Sequence, residues 1–141
     1  MADEQAPLLL DTCAAIWITN DEPIAAAASA ALDASYAGGL TTFVSPMTAW
    51  EVGTLVARGR LSLPIRPQIW FGRLLGVPGM AVADMSANIL ILSSFLPGAP
   101  PRDPADRIIA ATAREFGYQL MTRDRALLAY AEAGHIQAIA C

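Results

Sequence analysis

The sequence predicts an α/β fold, a mostly parallel sheet with helices on both faces. Three observations carry this. Short runs rich in Leu, Val, Thr and Phe alternate with stretches of helical period, an order that puts crossover helices between parallel strands. Several of these junctions carry a helix-starting signal, such as Ser45-Pro46 and Asp103-Pro104. The 141 residues are 55% apolar and only 16% charged, enough for one hydrophobic core and too apolar for disorder. One domain is expected over 1–141, with its core at about 8–139.

The elements follow in order. Leu8 to Leu10 is a short apolar strand that stops at Asp11. No element is assigned between Asp11 and Ile24. A helix is expected from about Ile24 to Tyr36, ended by Gly38 and Gly39. Thr42 to Ser45 reads as a strand. Ser45 then caps a helix with Pro46 at its first position, running through Met47 to Ala57 and ending near Gly59. A further helix covers Arg66 to Leu75, closed by Gly76 and Pro78, and Met80 to Ala83 is a strand. Asp84 is read as the cap of a helix whose Met85, Ile89 and Leu92 fall on one side. The strongest helix starts at Asp103-Pro104. Its Ala105, Ile108, Ile109, Thr112, Ala113 and Phe116 follow the 3.6-residue period, and Gly117 ends it. Gln119 to Met121 is a strand, Arg125 to Glu132 a helix, and Ile136 to Ile139 a last strand.

Composition removes several functions. All nine basic residues are arginine, so no Schiff-base or phosphate-binding lysine exists. One histidine, His135, rules out a multi-histidine zinc site within the chain, and it is read as a loop residue. Two cysteines are too few for a disulfide scaffold. Trp17, Trp50 and Trp70 are expected in the core or at an interface. The net charge of −4 and pI near 4.7 argue against a general polybasic coat. With Asp3 and Glu4 in place of a basic stretch, the first residues do not read as an export signal, and Met85 to Pro101 is expected to be too interrupted to span a membrane. A cytoplasmic protein with reduced Cys13 and Cys141 is expected.

In a parallel α/β sheet, ligands bind beyond the carboxyl ends of the strands. Asp11 directly follows the first strand, and Asp124 follows the Gln119–Met121 strand after Thr122. Glu51 lies in an otherwise apolar helix, and Asp106 sits three residues after the Asp103 cap. Converging carboxylates repel by roughly 4 kcal/mol per pair at about 4 Å and an effective dielectric near 20. They must protonate in part or recruit hard cations, Mg²⁺ or Mn²⁺. Each acid also has a local reading: Asp11 as a turn or cap residue, Asp103 as an N-cap, Asp106 as a partner of the helix dipole.

The ordered set Leu-Leu-Leu-Asp-Thr (8–12), Ser-Pro-Met-Thr-Ala-Trp-Glu-Val (45–52), Arg-Gly-Arg-Leu (58–61), Asp-Pro-Ala-Asp-Arg-Ile-Ile-Ala-Ala-Thr-Ala (103–113) and Met-Thr-Arg-Asp-Arg-Ala-Leu (121–127) resembles the PIN-domain ribonucleases. It is most similar to the VapC-type toxins of bacterial toxin–antitoxin pairs. The resemblance implies a three-layer α/β/α domain and a Mg²⁺- or Mn²⁺-dependent endoribonuclease. Asp11, Glu51, Asp106 and Asp124 match the four acids that hold the metal and carry catalysis, with Thr12, Asp103 and Thr122 in supporting positions. Arg107, Arg123 and Arg125 are candidates for substrate phosphates, with surface ion pairing as their other reading. Cys13 stands where many relatives have histidine, and Gly53-Thr54-Leu55 lacks a basic residue often found there.

The expected reaction is hydrolysis of RNA by a metal-held water, leaving a 5′ phosphate. Asp11 is the expected central ligand, Glu51 and Asp106 complete the first site, and Asp124 orients a second ion. The resemblance also implies a cognate antitoxin and a homodimer, and the mean hydropathy of +0.42 fits surface covered by such contacts. A non-toxic PIN nuclease of RNA maturation and a catalytically silent PIN-like binding module are the alternatives. A receiver domain or dehalogenase-like phosphatase would need a lysine, and a Rossmann domain would need glycines after the first strand.

Overall fold

A computed structural model of the chain describes residues 5–141. Its strands are β1 (Leu8–Leu10), β2 (Thr42–Val44), β3 (Met80–Val82), β4 (Gln119–Thr122) and β5 (Gln137–Ala140). They form one sheet in the order β3-β2-β1-β4-β5, and every neighbouring pair is parallel. The expected mostly parallel sheet is thus wholly parallel among the described residues. The helices are α1 (Thr12–Thr19), α2 (Ala26–Ala37), α3 (Pro46–Ala57), α4 (Pro67–Leu75), α5 (Ala87–Leu92), α6 (Pro104–Phe116) and α7 (Arg125–Glu132).

Register decides where chemistry can occur. Leu10 of central β1 lies level with Val44 of β2 and Met121 of β4. Asp11 and Ser45 therefore leave the sheet beside Thr122, the last residue of β4. The chain moves outward from β1 through β2 to β3, then returns to place β4 and β5 on the other side. The order reverses between β1 and β4, which opens a crevice at their carboxyl ends.

The three layers follow from side chains alternating across the sheet. Leu8, Leu10, Val44 and Met121 face a layer containing Ala14, Ala15, Ala28, Val52, Trp70 and Leu74. Leu9 and Leu120 face Ile109, Ala110 and Ala113 of α6 and Leu127 and Tyr130 of α7. All three leucines of β1 are fully buried, as a parallel strand covered on both faces requires. Truncating one of them to alanine costs about 2–5 kcal/mol by lost burial plus cavity.

Several elements differ from their sequence expectations. Helix α1 had no assignment. Its segment, TCAAIWIT, is apolar almost all round and carries no amphipathic stripe, and Ala14, Ala15 and Ile16 are buried. Asp84 does not cap α5; Ser86 does, accepting from the Ile89 amide, so Met85 lies before the helix. Strand β5 begins and ends one residue later than expected because its ladder with β4 runs from the Gln119–Gln137 pair to the Thr122–Ala140 pair. Ala105, Ile109, Thr112 and Ala113 of the α6 stripe are buried, Ile108 is half-buried, and Phe116 is exposed and stacks on Tyr118 at 5.5 Å. Asp103 caps α6 as expected, and Gly117 ends it at φ 68°, where a Cβ would be strained. His135 does lie in the loop before β5, its ring 4.7 Å from that of Tyr130.

Candidate metal centre

Asp11 sits at the crevice because its amide continues the β1–β4 ladder, donating to the Met121 carbonyl at 3.1 Å. Its side chain turns into α1 and accepts from the Ala14 amide at 2.8 Å, which makes it the N-cap. Its other oxygen accepts from the Thr122 hydroxyl. Burial pushes the Asp11 carboxyl up; the Thr122 and Ala14 donors work against that shift, and the nearby Asp124 charge adds to it.

Glu51 occupies the second turn of α3, which Ser45 and Pro46 start directly after β2. The Thr12 hydroxyl donates to Glu51 Oε1, and Thr12 is itself in contact with the Thr48 hydroxyl at 3.1 Å. Thr48 and Glu51 are three residues apart and share one helix face. Burial raises the Glu51 carboxyl, the Thr12 bond lowers it, and the charges of Asp103 and Asp11 raise it further.

Asp103 and Asp106 share the first turn of α6. Asp103 Oδ2 accepts from the Asp106 amide at 3.0 Å. The loop leading to them is fixed at two carbonyls: the Tyr130 hydroxyl donates to Pro97 at 2.6 Å, and Arg107 Nε donates to Pro101 at 2.8 Å. Asp106 is pushed up to about 7, first by burial and then by the charges of Asp103, Asp124, Glu51 and Asp11.

Three carboxylates meet most closely. Glu51, Asp103 and Asp106 each offer an oxygen, and these atoms lie within 4.8 Å of one another. Glu51 and Asp106 were expected together; Asp103 joins them while also capping its helix. Asp11 and Asp124 stand outside this triplet, near enough for their charges to raise Asp106. Both Asp11 oxygens already hold donors. Asp124 caps α7, accepting from the Leu127 amide at 2.9 Å, and its own amide donates to Thr122 Oγ1 at 3.0 Å.

The three candidate arginines separate. The Arg123 guanidinium lies 3.7 Å from the Trp17 ring centroid and donates to the Cys141 carbonyl at 2.8 Å. Arg107 is half-buried against Pro101. Arg125 is exposed and, among the described residues, donates no side-chain hydrogen bond. Sequence reasoning missed Thr48, which is legible one turn before Glu51. Trp17, expected in the core or at an interface, packs against the core and carries the Arg123 contact that its sequence position does not show.

Residues 8–133 match the model of the PIN domain family. The chain belongs to that family. This PIN domain is 31% identical over 121 residues to Ribonuclease VapC22 of Mycobacterium tuberculosis, covering 85% of this chain and 88% of that protein. It is thus a homologue of a named ribonuclease. In fold it is similar to the crystal structure of VapBC2 from Rickettsia felis bound to a DNA fragment from its promoter. The TM-score is 0.64 at 14% identity, covering 94% of this chain and 97% of that one. FitAcB from Neisseria gonorrhoeae gives a TM-score of 0.56 at 21% identity, covering 94% and 96%. No helix among the described residues of the PIN domain is long and apolar enough to cross a membrane.

Proposed function

We propose that this PIN domain, one unit over the whole chain, is a Mg²⁺- or Mn²⁺-dependent endoribonuclease that acts as a toxin held in check by a cognate antitoxin in the cytoplasm. The observation that carries the reading is the Glu51–Asp103–Asp106 triplet, with oxygens within 4.8 Å at the crevice of the sheet. Three converging carboxylates repel one another, burial and neighbouring charge raise the proton affinities of Glu51 and Asp106, and all the donors are oxygen. That donor set fits a hard divalent cation.

Glu51, Asp103 and Asp106 would hold the cation. The chemistry it supplies when bound is Lewis acidity toward water and phosphate. The chain supplies position. Thr12 and Thr48 fix the Glu51 carboxylate, and the first turn of α6 fixes Asp103 and Asp106 relative to each other. Asp11, clamped by Thr122 and Ala14, and Asp124 at the head of α7 line the negative wall behind the triplet. Asp11 and Asp124, with Thr122 as their common support, join Glu51 and Asp106 in the four-acid catalytic set of this reading, and Asp103 supports it as a further ligand. Of the three candidate arginines, Arg125 is the one left open to a substrate phosphate, since Arg107 and Arg123 are engaged by carbonyls.

Homodimerisation belongs to the same reading and is supported by exposed Ile91 and Phe95, 59% and 77% accessible. The test is cleavage of a labelled RNA in Mn²⁺ by the wild type, Asp106→Asn and Glu51→Gln, alongside induced expression in a bacterial host. Wild-type cleavage and growth arrest, both lost in the variants by at least about a hundredfold in rate, support the proposal. Cleavage without arrest favours RNA maturation, and equal arrest by wild type and variants overturns the nuclease reading.

A further inference from the structure

The net charge of −4 hides a partition. Between Val52 and Ala83 the chain has four arginines, Arg58, Arg60, Arg66 and Arg73, and no carboxylate, so this stretch is +4 and the remainder −8. The stretch is the rest of α3, its connection to α4, α4 itself and β3, and α3 packs on α4. Arg58 is the C-cap of α3 and Arg66 the N-cap of α4, so Arg58, Arg60 and Arg66 all lie on the connection that joins the two helices into one arm. All four arginines are exposed, and among the described residues none of their side chains donates a hydrogen bond. Arg107, Arg114 and Arg123, by contrast, each donate to a backbone carbonyl.

The arm leads to the acidic site. Glu51 and Arg58 are seven residues apart on α3, close to two turns, so they share a side of the helix about 10 Å apart along its axis. That separation is about three nucleotides of stacked strand at about 3.4 Å each. Next to Glu51, Trp50 is 61% accessible, although tryptophan is usually well covered. Gly53 and Ala57 lie at i+3 and i+7 from Trp50 and continue its stripe as nearly bare helix. Gly53 is unexplained by internal packing: a Cβ there meets nothing within 4 Å, and its φ is not positive. An interior glycine weakens a helix relative to alanine, so the fold alone would favour a side chain.

We propose that the α3–α4 arm is the RNA-backbone surface of this nuclease: Arg58, Arg60 and Arg66 contact phosphates, Trp50 stacks a base beside the acidic site, and the bare Gly53–Ala57 stripe admits the strand between them. The proposal rests on the ribonuclease reading for the direction of the strand, and its binding test is independent of cleavage. Backbone contacts by arginine and stacking on an aromatic face are the two sequence-tolerant means of holding single-stranded RNA. They also give an acidic protein a way to bind a polyanion without global positive charge.

The test measures binding of a fluorescent single-stranded RNA oligonucleotide in EDTA over a range of salt. The proteins are the wild type, Arg58→Gln/Arg60→Gln/Arg66→Gln, Trp50→Ala and Gly53→Leu, with melting temperature and oligomeric state measured for each. The triple variant is expected to bind at least about tenfold more weakly, and its log–log salt slope to shrink by about 2, at roughly 0.7 per lost contact. Trp50→Ala loses about fivefold or more. Gly53→Leu weakens RNA binding while raising the melting temperature by about 2–4 °C, a pairing that a purely structural role does not produce. An unchanged affinity and slope in a folded triple variant overturns the proposal. So does a Trp50→Ala protein that turns from dimer to monomer with RNA affinity intact, or a wild type that prefers a polyglutamate peptide to RNA. Binding with the expected slope but no cleavage in Mn²⁺ would sink the nuclease reading and leave the arm standing; cleavage with no effect of the arginines does the reverse.

Discussion

The Thr122 hydroxyl, at the end of β4, donates across the switch point to the Asp11 carboxylate at the end of β1. The same oxygen accepts from the Asp124 amide at 3.0 Å. One fully buried threonine thus fixes one acid directly and sets the backbone of another. Thr122→Val keeps the shape and removes both roles. We expect it to lower stability by about 1–3 kcal/mol, since a buried acceptor loses its donor. Thr122→Ser should retain most of that stability. Urea unfolding of the two variants checks this.

Asp106 gives a pH dependence whose sign follows from its raised proton affinity. Its native carboxyl titrates at about 7 against an ordinary value of 3.8, because of burial and then the Asp103, Asp124, Glu51 and Asp11 charges. The folded state holds the proton more tightly than the unfolded chain. This contribution to stability is complete below the ordinary value and is lost as pH rises through about 7. Asp11 and Glu51 shift in the same direction. The metal-free protein should therefore melt at progressively lower temperature from about pH 4 to about pH 7, and Asp106→Asn should flatten the trend. Added Mn²⁺ competes with the proton, so its stabilisation should be larger at about pH 8 than at about pH 5.

Arg123 is committed to the fold. Its guanidinium stacks on Trp17 and bonds the Cys141 carbonyl. Cys141 is tied further by its amide to the Thr122 carbonyl and by its carbonyl to the Ala25 amide. Arg123→Ala should cost about 1–2 kcal/mol, combining a cation–π contact with a charge-assisted hydrogen bond. Its effect on RNA affinity should be smaller than that of Arg125→Ala. Thermal melts and RNA titrations of both variants decide it.

The legible parts of the fold were those with punctuation. Helix α6 announced itself through Asp103-Pro104, a clear stripe and Gly117, and α7 through Asp124 and the run that follows. Helix α1 was hidden because its faces are apolar almost all round and show no stripe, although Asp11 caps its start and Asn20 its end. Without α1, the direction of Trp17 and hence its contact with Arg123 could not be read. The acids were legible as strand-end and helix-start residues. Their division was not: whether Asp11 or Asp103 stands closest to Glu51 depends on which oxygens are already held by Thr122 and Ala14, a matter of a few ångströms between elements distant in sequence.

The central position of β1 has a consequence for how the molecule opens. Its three residues are covered on both faces and bonded to strands on both sides, and the Asp11 amide extends that ladder by one step. Deuterium should therefore enter the Leu9–Asp11 amides only through near-global unfolding. Asp103, by contrast, is exposed at the end of a loop, and the amides around it should exchange sooner. Such a difference would let a ligand come and go at the rim while the sheet remains closed.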